Sequence, residues 1–107
     1  MSVSSRIPGF YRLSLEARRA EVSSRAALNP EEFANVLDHG GLCSDKADKI
    51  VENVLGVYSL PFGVALNVRL NQRDRLAPMV VEEPSVIAAA SNAARMIREA
   101  GGFFAEN

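Results

Sequence analysis

An α+β chain is predicted by three observations. Ala47, Ile50, Val51, Val54 and Leu55 recur at the i, i+3, i+4, i+7, i+8 spacing of one helical face. Between Val64 and Leu70 the period drops to two, with Val64, Leu66, Val68 and Leu70 alternating with Ala65, Asn67 and Arg69. From Pro84 to Ala100 the pattern is helical again and rich in alanine. The expected order is short N-terminal helices, a β-hairpin, then a long Ala-rich central helix.

Residues 1–12 read as an N-terminal arm. Pro8-Gly9 interrupts regular structure there, and Phe10 and Tyr11 offer anchors for docking on another surface. Ser14 is a capping residue for a short helix carrying Leu15, Ala17, Val22 and Ala26. Asn29-Pro30-Glu31-Glu32 is a stronger start, with a capping Asn, a Pro suited to the first helical position and a Glu at the third. Phe33, Val36 and Leu37 form its buried face, and Gly40-Gly41 ends it. Ser44 is expected to cap the periodic helix, and Gly56 to terminate it in the left-handed conformation. Asn71 to Asp74 can turn the chain, and Arg75 to Val81 can return antiparallel. Pro78 lacks a backbone donor and marks that strand as an edge. Pro84 suits a first turn, and Ala88, Ala89, Ala90, Ala93 and Ala94 give the last helix a slim profile open to close approach on several sides. Gly101-Gly102 ends it.

The chain has 107 residues, 48% hydrophobic and 23% charged, with a net charge of −1. That is the balance of one globular domain, and it gives no electrostatic case for binding nucleic acid or an anionic membrane. The single cysteine, Cys43, cannot form an intrachain disulfide and reads as a small buried residue; a reducing, cytoplasmic setting fits. The first ten residues lack the apolar core of a signal peptide, and no apolar run is long enough to span a bilayer. A chain this short buries only about two thirds of its unfolded surface, so it must pack well, find partners or belong to a larger body.

The chemistry concentrates at Glu82-Glu83-Pro84-Ser85, where an apolar strand meets the alanine-rich helix. Two readings stand side by side. In the first, the carboxylates only complement the helix dipole and its free N–H groups. In the second, the flanks Met79-Val80-Val81 and Val86-Ile87 leave at least one carboxylate poorly solvated. Desolvation then opposes the helix terminus, the balance that proton-transfer groups use. Ser85 stands two residues past Glu83, at a helix start whose N–H groups favour anions. Such a site is half complete, because acid–base work at a carbonyl also needs an oxyanion stabiliser. Lys46 and Lys49 read as solvated, and His39 as a cation at a helix C-terminus. No HxxxH or CxxC spacing supports a metal, and no GxGxxG or GxxxxGK[ST] loop supports a nucleotide.

Several stretches together resemble the N-terminal part of 3-hydroxy-3-methylglutaryl-coenzyme A (HMG-CoA) reductase, in its class II, bacterial and archaeal, often degradative form. They are Arg6 to Tyr11, Glu52-Asn53-Val54-Leu55-Gly56, Ser59-Leu60-Pro61, Arg73-Asp74 and Met79 to Ser91. The resemblance runs from about residue 5 to residue 104. It implies that residues 1–107 form the N-terminal part of a discontinuous, substrate-binding large domain. It also implies that Glu83, the second of the family's glutamate pair, moves a proton at the thioester-derived oxygen together with a lysine and an aspartate. Ser85 is then substrate-binding, contacting the carboxylate end of the hydroxymethylglutaryl group, and Glu82 is structural. The implied reaction interconverts HMG-CoA and mevalonate with NAD or NADP as cofactor. The implied enzyme is a dimer with sites at the subunit interface, near the ENVLG segment.

The family's catalytic lysine, aspartate and histidine, and its cofactor-binding domain, have no counterpart in these residues. The chain is therefore expected to be inactive alone and to bind no cofactor by itself. The competing expectations are a non-catalytic dimerisation module and one half of a split reductase. The family's NGRD turn has Gln72 in place of glycine, which leads us to expect a remodelled turn.

Overall fold

The computed structural model describes residues 3–107. After a short 3-10 turn at Phe10–Arg12 come three helices: α1 (Leu15–Arg25), α2 (Pro30–His39) and α3 (Ser44–Ile50). Strands β1 (Phe62–Leu70) and β2 (Arg73–Val80) form an antiparallel hairpin, and helix α4 (Val86–Glu99) follows. The described residues are α+β, with four helices and a two-stranded sheet.

Helix α1 starts where Ser14 Oγ accepts from the Ala17 N–H, and α2 where Asn29 Oδ1 accepts from the N–H groups of Glu31 and Glu32. Each side chain satisfies donors that the first turn leaves unpaired. Gly40, at φ 70°, ends α2. The Arg19 guanidinium ties α1 to α2 through a bidentate pair with Asp38, at 2.6 and 3.1 Å.

The periodic stripe after Gly41 does not become the long helix it predicts. Cys43, not Ser44, occupies the cap position, and Cys43 is exposed, not buried. The helix stops at Ile50, and Val51 is extended at φ −127°, ψ 136°. Asn53, at φ 61°, takes the left-handed conformation assigned to Gly56. Ile50, Val51 and Leu55 are exposed. An amphipathic stripe gains its helical stability from a packing surface, and no surface of the described residues covers this one.

The hairpin matches the alternation that predicts it, with two local features. Its turn is Asn71-Gln72, both at positive φ (48° and 65°), the two-residue geometry that follows the strands' right-handed twist. Gln72 thus accepts the conformation that glycine would take more easily, and the expected remodelling does not occur. Between Ala65 and Val68 the register shifts, so that Leu66 and Asn67 together oppose Leu76. Asn67 sits in this β-bulge at φ 65°. Pro78 pairs with Val64 in a sheet whose two strands are both edges.

The bulge is where the rest of the chain is pinned. The Asn67 N–H donates to the Ser5 carbonyl at 3.0 Å. Ser91 Oγ of α4 accepts from the Leu66 N–H at 3.0 Å, and Asn67 Nδ2 donates to the Ser91 carbonyl at 3.1 Å. Helix α4 has 14 residues and begins at Val86, two residues after the expected Pro84. It lies chiefly on β1, with Ala65 of the strand and its own Ala94 buried and Ala88, Ala89 and Ala93 exposed. After α4, Phe103 forms a parallel bridge with Leu70, and the Asn71 side chain exchanges two hydrogen bonds with the Ala105 backbone.

The arm is fixed by a residue the sequence did not single out. Ser5 is 1% exposed. Its N–H and Oγ both donate to Asp74 Oδ2, or its Oγ serves the Val68 carbonyl at 2.8 Å. Tyr11, an expected anchor, is exposed. Met1 and Ser2, also assigned to the arm, lie outside the described residues.

Candidate functional site

Glu82 to Ser85 form an irregular link between β2 and α4, and all four residues are exposed. The expected poorly solvated carboxylate is therefore not found: the apolar flanks turn into the hairpin and helix, and the link projects from them. The base of the link is set by the Val81 N–H, which donates to the Pro61 carbonyl at 3.2 Å. Its far end is Ser85, at φ 74° and ψ −12°. A non-glycine residue in the left-handed region carries strain, and such strain gathers at ligand-binding sites. The Ser85 carbonyl accepts the first helical bond, from the Ala89 N–H at 2.8 Å, but its hydroxyl makes no cap bond. An ordinary helix-capping serine spends its hydroxyl on the helix. The Ser85 hydroxyl is left exposed at the helix start.

Beside this link lies the main apolar concavity, about 650 Å³, between the arm, β1 and the first turns of α4. Phe10, Val64 and Ile87 form its greasy wall, and Arg6, Arg18 and Arg95 bring cations to it. Glu82, Glu83 and Ser85 do not line it, whereas Ile87 and Ala88, two and three residues on, do. Gly63 leaves room for the tip of the Ile87 side chain: a Cβ there would stand 2.5 Å from Ile87 Cδ1. The link is thus held from both sides, by the Val81–Pro61 bond before it and by the Ser91 bonds of α4 after it.

The strongest electrostatic unit lies at the other end of the hairpin. Asp74 receives both terminal nitrogens of Arg98, each at 3.0 Å. Burial pushes the Asp74 carboxyl upward, but the Arg98 fork and the Ser5 N–H outweigh it and hold the carboxyl at about 2. Arg73-Asp74 carried part of the family resemblance, yet the structural work of Asp74 is visible only once Ser5 and Arg98 are brought to it. Among the described residues no three His, Cys, Asp or Glu side chains group as metal ligands. His39 ends α2, and Lys46 and Lys49 are exposed. Among the described residues no glycine-rich strand–turn–helix unit of the kind that holds a dinucleotide is present.

Comparison with known proteins sets this α+β chain beside one group of enzymes. The sequence profile of hydroxymethylglutaryl-coenzyme A reductase matches residues 14–107. The 3-hydroxy-3-methylglutaryl-coenzyme A reductase of Archaeoglobus fulgidus is 55% identical over 102 residues, covering 95% of this chain and 23% of that protein. A probable reductase of the same name from Borreliella burgdorferi is 29% identical over 91 residues, covering 85% of this chain and 20% of that protein. Among solved structures, the class II reductase of Streptococcus pneumoniae bound to NADPH superposes with a TM-score of 0.80 at 38% identity. That superposition covers 92% of this chain and 27% of that one. The chain belongs to the hydroxymethylglutaryl-coenzyme A reductase family, and it spans about a quarter of the length of these relatives.

Proposed function

We propose that this chain supplies the proton-transfer and acyl-recognition segment of an enzyme that interconverts HMG-CoA and mevalonate with NAD(P)(H). Glu83 gives or takes the proton at the oxygen derived from the thioester carbonyl. Ser85 donates its hydroxyl to the distal carboxylate of the hydroxymethylglutaryl group. The supporting observation is Ser85 itself, strained at φ 74°, exposed, with a hydroxyl its helix does not use, two residues from an exposed carboxylate. Glu82 points the link without entering the chemistry. The remaining catalytic groups and the cofactor site come from residues other than these, within a larger substrate-binding domain in which α4 becomes central. Assayed by itself, the 107-residue chain oxidises no NAD(P)H with HMG-CoA, because cooperating groups lost together remove nearly the whole rate enhancement.

The test is substitution in the complete enzyme. Glu83→Gln keeps size and hydrogen bonding but removes the proton, and lowers kcat by about 10² to 10⁴ with the fold unchanged. Ser85→Ala raises KM for HMG-CoA by about tenfold and touches kcat less. An unchanged rate in Glu83→Gln would overturn this assignment.

Exposed area favours a second component of the same reading. The chain exposes 8412 Å². A compact monomer of 11.6 kDa exposes about 5,800 Å². The excess matches a large, permanent interface. Leu55 and Tyr58 are 103% and 88% exposed, in a segment that also carries Ile50, Val51 and Leu60. These residues bury against further protein, either a second copy or the body of the larger domain.

A further inference from the structure

We propose that the turn end of the hairpin holds a phosphoryl-binding site, built on Arg69, Arg73 and Arg75. A cavity of about 720 Å³ wraps this end and carries five arginines, Arg25, Arg69, Arg73, Arg75 and Arg98, against one carboxylate, Asp74. In a chain of net charge −1 that is a local concentration of positive charge. Two of the five are committed. Arg98 is held by Asp74, and Arg25 by Glu21 at 3.1 Å and the Ser4 carbonyl at 2.6 Å. Among the described residues, Arg69, Arg73 and Arg75 take part in no salt bridge.

The second observation is Arg69 Nε, which is sealed from solvent and has no hydrogen-bond partner. A buried charged donor without an acceptor is a group awaiting one. Gly102 packs against the base of this residue: a Cβ at Gly102 would stand 2.6 Å from the Arg69 carbonyl oxygen and 3.0 Å from its Cβ. Strand alternation puts Arg73 and Arg75 on one face of the ribbon and Arg69 with Asp74 on the other, and the cavity reaches both around the turn.

Guanidinium forks pair bidentately with tetrahedral phosphoryl oxygens, and a phosphoryl dianion offers enough oxygens to meet several forks at once. A lone carboxylate would satisfy only one. The wall is mostly polar, which suits a hydrated anion over an apolar ligand. This end lies at the opposite end of β2 from Glu82–Ser85, about 20 Å along the strand. The inference therefore does not depend on the roles given to Glu83 and Ser85.

The experiment is isothermal titration of the 107-residue chain with pyrophosphate, ADP and tricarballylate at fixed ionic strength. One saturable pyrophosphate site is expected, weakened about tenfold or more in the Arg73→Gln/Arg75→Gln double variant and unchanged in Arg12→Gln. Arg73 and Arg75 are exposed, so the double variant folds, as its circular dichroism checks. ADP binding as tightly as pyrophosphate extends the site to nucleotide-borne phosphate; pyrophosphate alone limits it to the free anion. Tricarballylate binding equally well, affinity that merely follows ionic strength, or identical binding in the double variant would each overturn the proposal.

Discussion

Asp74 shows how much one side chain can organise. It gathers the arm through Ser5, α4 through Arg98 and its own hairpin into one node. Its carboxyl is held at about 2, below its usual 3.8, so the ionised form is the folded one. That stabilisation is complete above about pH 4 and is lost as pH falls through 2. Allowing for solvent screening, it amounts to about 1 kcal/mol. Urea unfolding between pH 5 and 2 should show this loss, and Asp74→Asn should remove that part of the pH dependence. Gly102 makes a second prediction at this scale. It sits at φ 92° with no room for a Cβ beside the Arg69 carbonyl. Gly102→Ala should cost about 3 kcal/mol, read as a lower urea midpoint with unchanged slope.

Among the elements, the hairpin and α4 act as one unit and the N-terminal helices as another. The bulge at Leu66-Asn67 frees an N–H from the ladder, and Ser91 of α4 takes it up. This bond fixes how α4 sits along β1, and so where its first turn presents Ser85. Ser91→Ala leaves the Leu66 N–H without its acceptor and should cost about 1 to 2 kcal/mol. In the complete enzyme it should also raise KM for HMG-CoA, since the helix start shifts. The hairpin was legible because alternation fixes its period and Asn71 to Asp74 mark where the chain can turn, although Gln72 pointed to a remodelled turn that does not occur. The bulge was not, because nothing in Leu66-Asn67 distinguishes it from regular strand until Ser5 arrives 62 residues from Asn67 and Ser91 25 residues from Leu66.

For the molecule as a whole, surface is the deciding quantity. Only Ala47, Ala65 and Ala94 are buried apolar residues among those described, and the chain measures 49 × 30 × 28 Å. Its radius of gyration is 16.3 Å, where a compact domain of this length has about 13 Å. Such a body should associate. Light scattering on the isolated chain is expected to give more than one copy per particle, and Leu55→Glu with Tyr58→Glu should shift it toward monomer. A monomer that binds no hydrophobic dye would contradict this.

By itself the sequence determined the α+β order of elements, the starts of α1 and α2, the place of the hairpin and the family. These follow from local rules, in which capping groups, alternation and a long specific motif need only near neighbours. Tertiary structure alone decided that the stripe after Ser44 stops at Ile50, that Cys43 is exposed and that Ser5 is the arm's anchor. It also put both glutamates of the link in the open and gave Ser85 a strained backbone with an unspent hydroxyl. Burial and strain depend on what arrives from elsewhere in the chain, and no spacing within a segment records that.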